Sequence, residues 1–162
     1  MAVAYSVSIP QLPALQEAFK RAPEITSRSV IDAVNRSLVG YQATAKGLAP
    51  VDTGRLRSSI QLIPARRTSN RIEGSVGTSV RYSVFQELGT GIYGPLGRPI
   101  RPKTGKVLRF VSRGKVVYAR EVRGSRPRYY FRGAVEQNQG RAEGYFADAL
   151  QSVTQQLAKG AR

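Results

Sequence analysis

The chain has 162 residues, with 26 lysines and arginines against 10 aspartates and glutamates, and a net charge of +16. It contains no cysteine and no histidine, which excludes disulfides, Cys/His metal sites and Ser-His-Asp triads. No apolar run could span a bilayer, and the N-terminus lacks a signal-peptide pattern. We therefore expect one soluble domain without a membrane segment, found inside a cell or in an assembly built there.

The positive charge is concentrated in the middle of the chain. Residues 51–132 carry eighteen basic and four acidic side chains, whereas the segments on either side are close to neutral. A segregated excess of this size favours polyanions or acidic protein surfaces as partners.

The N-terminal part predicts an extended segment followed by two helices. Over about residues 1–10, apolar side chains alternate with small or polar ones, as in a strand or an arm; they are Val3, Tyr5, Val7 and Ile9. A short helix should follow and end before Pro23, because a residue that precedes proline disfavours the helical conformation. Apolar residues at steps of three and four then predict a longer helix over about residues 24–46.

A turn and a hairpin are predicted next. In the turn, the Asp52 side chain should accept backbone hydrogen bonds, and Gly54 is free to adopt a positive φ. Alternating apolar residues predict strands over residues 55–62 and 72–80, with a polar turn over residues 64–70 between them.

The second half predicts a helical turn, another hairpin and a long C-terminal helix. Residues 82–88 have helical spacing, and strands are expected over residues 107–111 and 115–122. The C-terminal helix should extend from about residue 127 to 157, weakened in its first half by glycines. The chain is thus predicted to be a single α+β domain, with an antiparallel sheet of about four strands packed against two main helices.

The loop at residues 89–106 is the most unusual segment. It contains five glycines and three prolines, so neither a helix nor a central strand can run through it. Its charged side chains are all cationic, at Arg98, Arg101, Lys103 and Lys106. We interpret it as a protruding basic arm that contacts a protein partner or DNA.

Two enzymatic interpretations fail on the sequence. Residues 89–94 match the G-x-G-x-x-G pattern of dinucleotide-binding proteins, but Pro95 and Pro99 forbid the helix that must follow, and no acid lies twenty residues on. The acidic residues are scattered, and Glu87 is expected to pair with an arginine instead of transferring protons. We therefore expect no catalytic residue, no metal site and no cofactor.

Binding to nucleic acid without sequence specificity fits the composition. Basic residues lie among Tyr82, Tyr93, Tyr118, Tyr129, Tyr130 and Phe131, which could provide phosphate contacts and stacking surfaces. No helix-turn-helix, zinc-finger or RNA-recognition signature is present.

Three motifs resemble a family of tailed-bacteriophage proteins that are called neck, head–tail joining, tail-completion or minor tail proteins. Residues 48–60 resemble the family element APVDTGxLRxSI, and residues 82–95 are similar to YAxFVEFGTGIYGP. Residues 126–135 resemble xPxPFLRPAVE, although Gly133 occupies a position where proline is common.

The resemblance implies a virion subunit without catalytic activity, assembled in the host cytoplasm. Such a subunit would form a homo-oligomeric ring, for which we favour six copies, beside portal or head-completion proteins and tail-tube or terminator proteins. Packaged DNA would pass through the ring. The motif residues implied to be structural are Asp52, Thr53, Gly54, Glu87, Gly89, Gly91 and Gly94.

The resemblance leaves two alternatives open. One is a tail terminator that caps the tail tube. The other is a basic, non-specific accessory protein for nucleic acid.

Overall fold

The computed structural model describes residues 23–69, 71–112 and 114–160, with side chains described as far as residue 156. The expected N-terminal segment at residues 1–10 and the short helix after it lie outside these residues. The chain divides into two compact units, Val80–Tyr129 and a larger unit formed by the sequence on either side. The single-domain expectation stays a prediction. The helices are α1 (Pro23–Leu48), α2 (Arg55–Ser59), α3 (Ser83–Leu88) and α4 (Tyr130–Gly160), and the strands are β1 (Ile60–Thr68), β2 (Arg71–Thr78), β3 (Leu108–Ser112) and β4 (Lys115–Ala119).

The larger unit is built on α1 and α4, as the sequence predicts. Their apolar side chains recur at helical spacing and form two hydrophobic clusters between the helices. Those buried are Val30, Ala33, Leu38, Tyr41 and Ala45 of α1 and Ala142, Phe146, Ala149 and Val153 of α4. Burial, and then the negative charge of Glu143, raise the pKa of the Tyr41 phenol. Helix α4 is continuous through Gly133, Gly140 and Gly144, so their weakening effect does not interrupt it.

The first hairpin differs from its prediction at Pro64. Strand β1 passes through this residue and ends at Thr68, whereas the sequence predicted a turn over residues 64–70. The register shifts between Ile63 and Arg66, which places a β-bulge at the proline. A bulge tolerates proline because the missing N–H is not needed for the ladder. The adjacent Ala65 N–H donates instead to Oδ1 of Asn35 on α1, at 2.8 Å.

The predicted strand over residues 55–62 is wrong in its first half. Residues 55–59 form α2, and the strand begins only at Ile60. Leu56 and Ile60 are both buried, at 3% and 0% exposure. A spacing of four residues places two side chains on the same face of a helix and also of a strand. The alternation therefore did not distinguish the two structures.

The α+β class, the two main helices and the four strands are confirmed, but the single sheet is wrong. Within the described parts of the chain, β1 pairs with β2 and β3 pairs with β4, as two separate antiparallel sheets. The first hairpin packs against α1 in the larger unit. The second belongs to the unit Val80–Tyr129.

The unit Val80–Tyr129 contains little regular structure besides α3 and the second hairpin. A single 3-10 turn covers Gly91–Tyr93, and an isolated antiparallel bridge joins Ile100 to Val122 beyond the hairpin. Among the helices that the structure describes, none is long and apolar enough to cross a membrane.

Candidate functional site

The glycine-rich motif at residues 89–94 lies directly against residues 123–127, and we call the pair of segments the glycine clasp. The Thr90 N–H donates to the Ser125 carbonyl at 2.9 Å, and the Ile92 N–H donates to the Arg123 carbonyl at 2.8 Å. The Ser125 N–H in turn donates a hydrogen bond to the Thr90 hydroxyl at 2.9 Å. The clasp is therefore held mainly by backbone groups.

Glycine is required in the clasp because the two backbones touch. A Cβ on Gly91 would overlap the Arg123 carbonyl oxygen, and a Cβ on Gly124 would overlap the Thr90 carbonyl oxygen. Gly91 and Gly124 also have φ of 64° and 90°, in the left-handed region that disfavours side chains. The G-x-G-x-x-G pattern thus marks a contact between two chain segments.

Gly89 and Gly94, the outer glycines of the motif, are similarly confined. Gly89 has φ of 76°, and its Cβ would lie 2.8 Å from the Pro127 nitrogen. A Cβ on Gly94 would lie 2.9 Å from the Gly89 carbonyl oxygen. The close backbone contacts of these glycines are a geometric reason for the structural role that the resemblance implies for them.

Two arginines of the clasp surround one aromatic ring. The guanidinium carbon of Arg126 lies 5.3 Å from the ring centroid of Tyr93, and that of Arg123 lies 5.9 Å away. Exposed cation–π contacts of this kind contribute roughly 0.5–1 kcal/mol each. The sequence did not identify residues 123–125 as part of the site, and Gly124, between Arg123 and Ser125, was the only hint of it.

The loop at residues 89–106 is tied down over much of its length, so a free arm is not confirmed. Ile100 and Val122 exchange both backbone hydrogen bonds, at 2.8 and 3.0 Å, and the Gly97 N–H donates to the Gly94 carbonyl at 3.0 Å. Beyond Ile100, residues 101–107 have no helix or strand and are mostly exposed. The part of the loop that remains open is therefore much shorter than the sequence suggested.

The four cations predicted for partner contact differ in their surroundings. The Arg101 guanidinium forms an ion pair with Glu121, at 2.9 Å, beside the Ile100–Val122 bridge. Arg98, Lys103 and Lys106 are exposed, and no ion pair among the described residues includes them. Three of the four are thus available to a partner.

Thr53 and Gly54 lie in the turn that precedes α2. Gly54 has φ of 78°, as its predicted role requires. The Arg55 N–H approaches the Thr53 hydroxyl at 3.5 Å, the outer limit of a hydrogen bond. The Asp52 side chain is exposed, and among the described residues no hydrogen bond to its carboxylate is present.

Substitution at Gly54 should give a small, purely conformational loss of stability. We expect Gly54→Ala to lower the free energy of unfolding by roughly 1–2 kcal/mol, since the left-handed conformation is unfavourable for alanine and a Cβ there meets nothing within 4 Å. Chemical denaturation measures the loss. Gly47→Ala in α1 is the control; it should be slightly stabilising, because its Cβ also meets nothing and alanine favours a helix. Equal losses from both variants would contradict the assignment.

Glu87 is placed in the interior, at 0% exposure, in α3. Its own carbonyl accepts a hydrogen bond from the Tyr129 N–H at 3.2 Å. In the described parts of the chain, no group of three or more acidic side chains could hold a metal ion.

A comparison with known protein families matches the N-terminal part of this architecture. Residues 14–89 match the family described as "Bacteriophage HK97-gp10, putative tail-component". The recognition made from the sequence is thereby confirmed, over just under half of the chain. The matched stretch includes α1, the first hairpin and α3, and it ends at the first glycine of the clasp.

No curated protein and no solved structure matches the chain. The family match supports a structural role in a phage virion.

Proposed function

We propose that this protein is a neck or tail-completion subunit of a tailed phage, which forms a ring between head and tail and lets DNA pass. The observation that carries the proposal is the match of residues 14–89 to a phage tail-component family. The ring, its position at the neck and its contact with DNA are our inference, and two properties of the unit Val80–Tyr129 support it.

The first property is an exposed apolar face on the second hairpin. Val111 lies opposite Val116 and Arg109 lies opposite Tyr118, so these four side chains share one face, which we call the outer hairpin face. Val111, Val116 and Tyr118 are 67%, 48% and 63% exposed. A two-stranded hairpin is marginally stable without further packing. We propose that a neighbouring copy covers this face in the ring.

The second property is charge. Residues 80–129 carry twelve lysines and arginines against two acids, and Arg98, Lys103 and Lys106 are exposed in the loop at residues 89–106. A ring that surrounds DNA, or that meets an acidic neighbouring ring, would place negative charge opposite these side chains.

The same charge favours a second candidate, a nucleic-acid-binding accessory protein that does not assemble into a ring. Size-exclusion chromatography with light scattering, with and without duplex DNA, distinguishes the two. The neck proposal predicts a ring of about six 17.7 kDa subunits in the absence of DNA. A monomer that forms larger species only on DNA would overturn it. A closed ring that caps purified tail tubes but does not bind heads would assign it as a tail terminator.

The exposed loop cations give a charge-specific prediction. Replacing Arg98, Lys103 and Lys106 by glutamine should leave folding intact, since exposed charges contribute little to stability. If these three side chains contact phosphates, their loss should make the salt dependence of DNA binding shallower. The negative slope of log K for duplex DNA binding against log salt concentration should decrease in magnitude by about 2–3, at roughly 0.9 per contact. Fluorescence anisotropy over a salt series measures this slope.

A matched variant controls for net charge. Arg28, Arg55 and Arg141 are exposed in the larger unit, and replacing them by glutamine removes the same charge. Equal decreases in slope for the two triple variants would show that the loop has no special role in DNA contact.

A further inference from the structure

Two arginines of the glycine clasp converge on the ring of Tyr93. The guanidinium carbons of Arg126 and Arg123 lie 5.3 and 5.9 Å from the centroid of that ring, so the two carbons are at most 11.2 Å apart. Both arginines are exposed, and the tyrosine is half-buried. Two positive charges are thus held against one aromatic side chain at the surface. We call these three side chains the Tyr93 cluster.

The charge of the Tyr93 cluster is not neutralised within the unit Val80–Tyr129. Among the described residues, neither arginine of the cluster has an ion pair. The unit contains two acids. Glu121 pairs with Arg101 at 2.9 Å, and Glu87 is in the interior at 0% exposure. No acid of this unit is therefore left for the cluster, which suits it to a negatively charged ligand.

The geometry of the cluster leaves the hydrogen-bond donors of the arginines available. A guanidinium that lies over an aromatic ring contacts it through its flat face, and its N–H groups point outward in its own plane. These N–H groups form planar forks that match two oxygens of a phosphate. The cluster therefore offers directed donors as well as charge, and phosphate recognition uses both.

The clasp fixes the backbone that carries the cluster. The Arg123 carbonyl accepts the Ile92 N–H at 2.8 Å. The Ser125 carbonyl, next to Arg126, accepts the Thr90 N–H at 2.9 Å. A site that is held in position before its ligand arrives loses less conformational freedom on binding. We therefore interpret the clasp as the support that positions the cluster.

We propose that Arg123 and Arg126, held against Tyr93, contact phosphates in the backbone of duplex DNA. DNA presents one phosphate per about 1.7 Å of helix axis, so it provides phosphates wherever it touches the cluster. An acidic protein surface would need carboxylates at one matching spacing. The inference rests on the DNA contact in the proposed function and not on the ring. All three residues lie beyond the stretch 14–89 that matches the family.

The double variant Arg123→Gln/Arg126→Gln tests these contacts. If each guanidinium contacts a phosphate, the negative slope of log K for duplex DNA binding against log salt concentration should decrease in magnitude by about 1–2, at roughly 0.9 per contact. At a salt concentration of about 0.1 M the affinity should fall by about 10- to 100-fold. Fluorescence anisotropy over a salt series measures both quantities.

The matched control is Arg28→Gln/Arg141→Gln, which removes the same charge from exposed positions of the larger unit. Its slope should stay close to that of the unaltered protein. Hydrogen exchange at Ile92 should show an intact clasp in both double variants, because the clasp is held mainly by backbone groups. Equal slopes for the two double variants would overturn the proposed site.

Substitutions at Tyr93 test the placement of the arginines at constant charge, and they do not require the loss of either guanidinium. Tyr93→Leu removes the aromatic face and should weaken DNA binding about threefold to tenfold, because the guanidinium groups are no longer held in position. Tyr93→Phe retains the face and should bind DNA as tightly as the unaltered protein. Equal affinities for the leucine and phenylalanine variants would show that the ring does not organise the site.

The DNA measurements also separate this site from the proposed function. A protein that binds no DNA at any salt concentration would exclude both the site and the DNA contact in the proposed function. Salt-dependent binding with equal slopes for the two double variants would exclude the site alone. Inorganic phosphate, added at constant ionic strength, should not displace the DNA. Displacement that requires Arg123 and Arg126 would instead assign the cluster to a small phosphate ligand.

Discussion

Gly91→Ala is expected to lower the local stability of residues 89–127 by about 2–5 kcal/mol, by adding a left-handed alanine to a severe backbone overlap. The φ of Gly91 is 64°, and a Cβ there would overlap the Arg123 carbonyl oxygen. That oxygen accepts the Ile92 N–H at 2.8 Å, so it cannot move aside without breaking the clasp. Hydrogen exchange at Thr90, Ile92 and Val122 measures the loss.

The control is a glycine in the same loop with the same backbone conformation but no neighbour. Gly97 has φ of 60°, and a Cβ on it would meet nothing within 4 Å. Gly97→Ala should therefore show only the conformational part of the loss, roughly 1–2 kcal/mol. If both variants lose the same stability, the close approach in the clasp makes no energetic contribution.

The clasp also predicts how two substitutions combine. Gly124→Ala should resemble Gly91→Ala, because its Cβ would overlap the Thr90 carbonyl oxygen across the same contact. Once one variant has opened the contact, the second has little left to disrupt. The double variant should therefore lose clearly less stability than the sum of the single variants.

The clasp shows which part of this site sequence reasoning can reach. The close spacing of Gly89, Gly91 and Gly94 marked a special segment, and composition excluded a nucleotide-binding helix after it. Its partner begins more than thirty residues further along, at Arg123, and no local pattern links the two. A contact between backbones leaves few traces in side-chain patterns, apart from the glycines that permit it.

The arm predicted at residues 89–106 is not confirmed, for the same reason. With few apolar side chains to bury, residues 89–106 were expected to protrude as a free arm. The Ile100–Val122 bridge instead holds the loop through two backbone hydrogen bonds, which require no particular side chain. Hydrophobic patterning predicts side-chain burial, and it therefore missed this support.

Elements with strong periodicity were predicted well. Helix α1 was expected over residues 24–46 and spans Pro23–Leu48. The prediction succeeded because a long apolar stripe at steps of three and four residues fits a helix and does not fit a strand. Leu56 and Ile60 fit both a helix and a strand, and the boundary between α2 and β1 was missed there. The pairing of strands into one sheet or two depends on long-range contacts, which hairpin patterns do not specify.

The clasp and the Ile100–Val122 bridge give the second hairpin a defined base. The bridge lies beyond the ends of β3 and β4, and the second segment of the clasp begins at Arg123, directly after Val122. These contacts fix the chain at Val122, shortly after β4, and at Ile100, before the open residues 101–107 that lead into β3. A hairpin fixed at its base loses less conformational freedom when it binds, which favours its use as an assembly surface.

Tyr118→Asp and Val111→Asp are expected to prevent the ring from forming while the subunit stays folded. In the proposed ring a neighbouring copy covers the outer hairpin face. An aspartate carboxylate there would lose its hydration without gaining an ion pair or hydrogen bond in return. Removing a charge from water in this way weakens an interface by several kcal/mol, or about 100-fold or more. Light scattering should report monomers, and far-ultraviolet circular dichroism should report unchanged helix content.

Two comparisons separate this desolvation effect from other causes. Val111→Lys should also prevent assembly, since burial penalises either sign of charge. If only the aspartate variants fail to assemble, the cause would be the interaction of the new negative charge with the surrounding basic side chains, and desolvation would not explain it. Val39 on α1 is 58% exposed but lies in the larger unit, so Val39→Asp should leave the ring intact. A ring that survives both aspartates on the hairpin would exclude the outer hairpin face as the contact between subunits. The family match would still support a virion role, and the contact would have to lie on another surface.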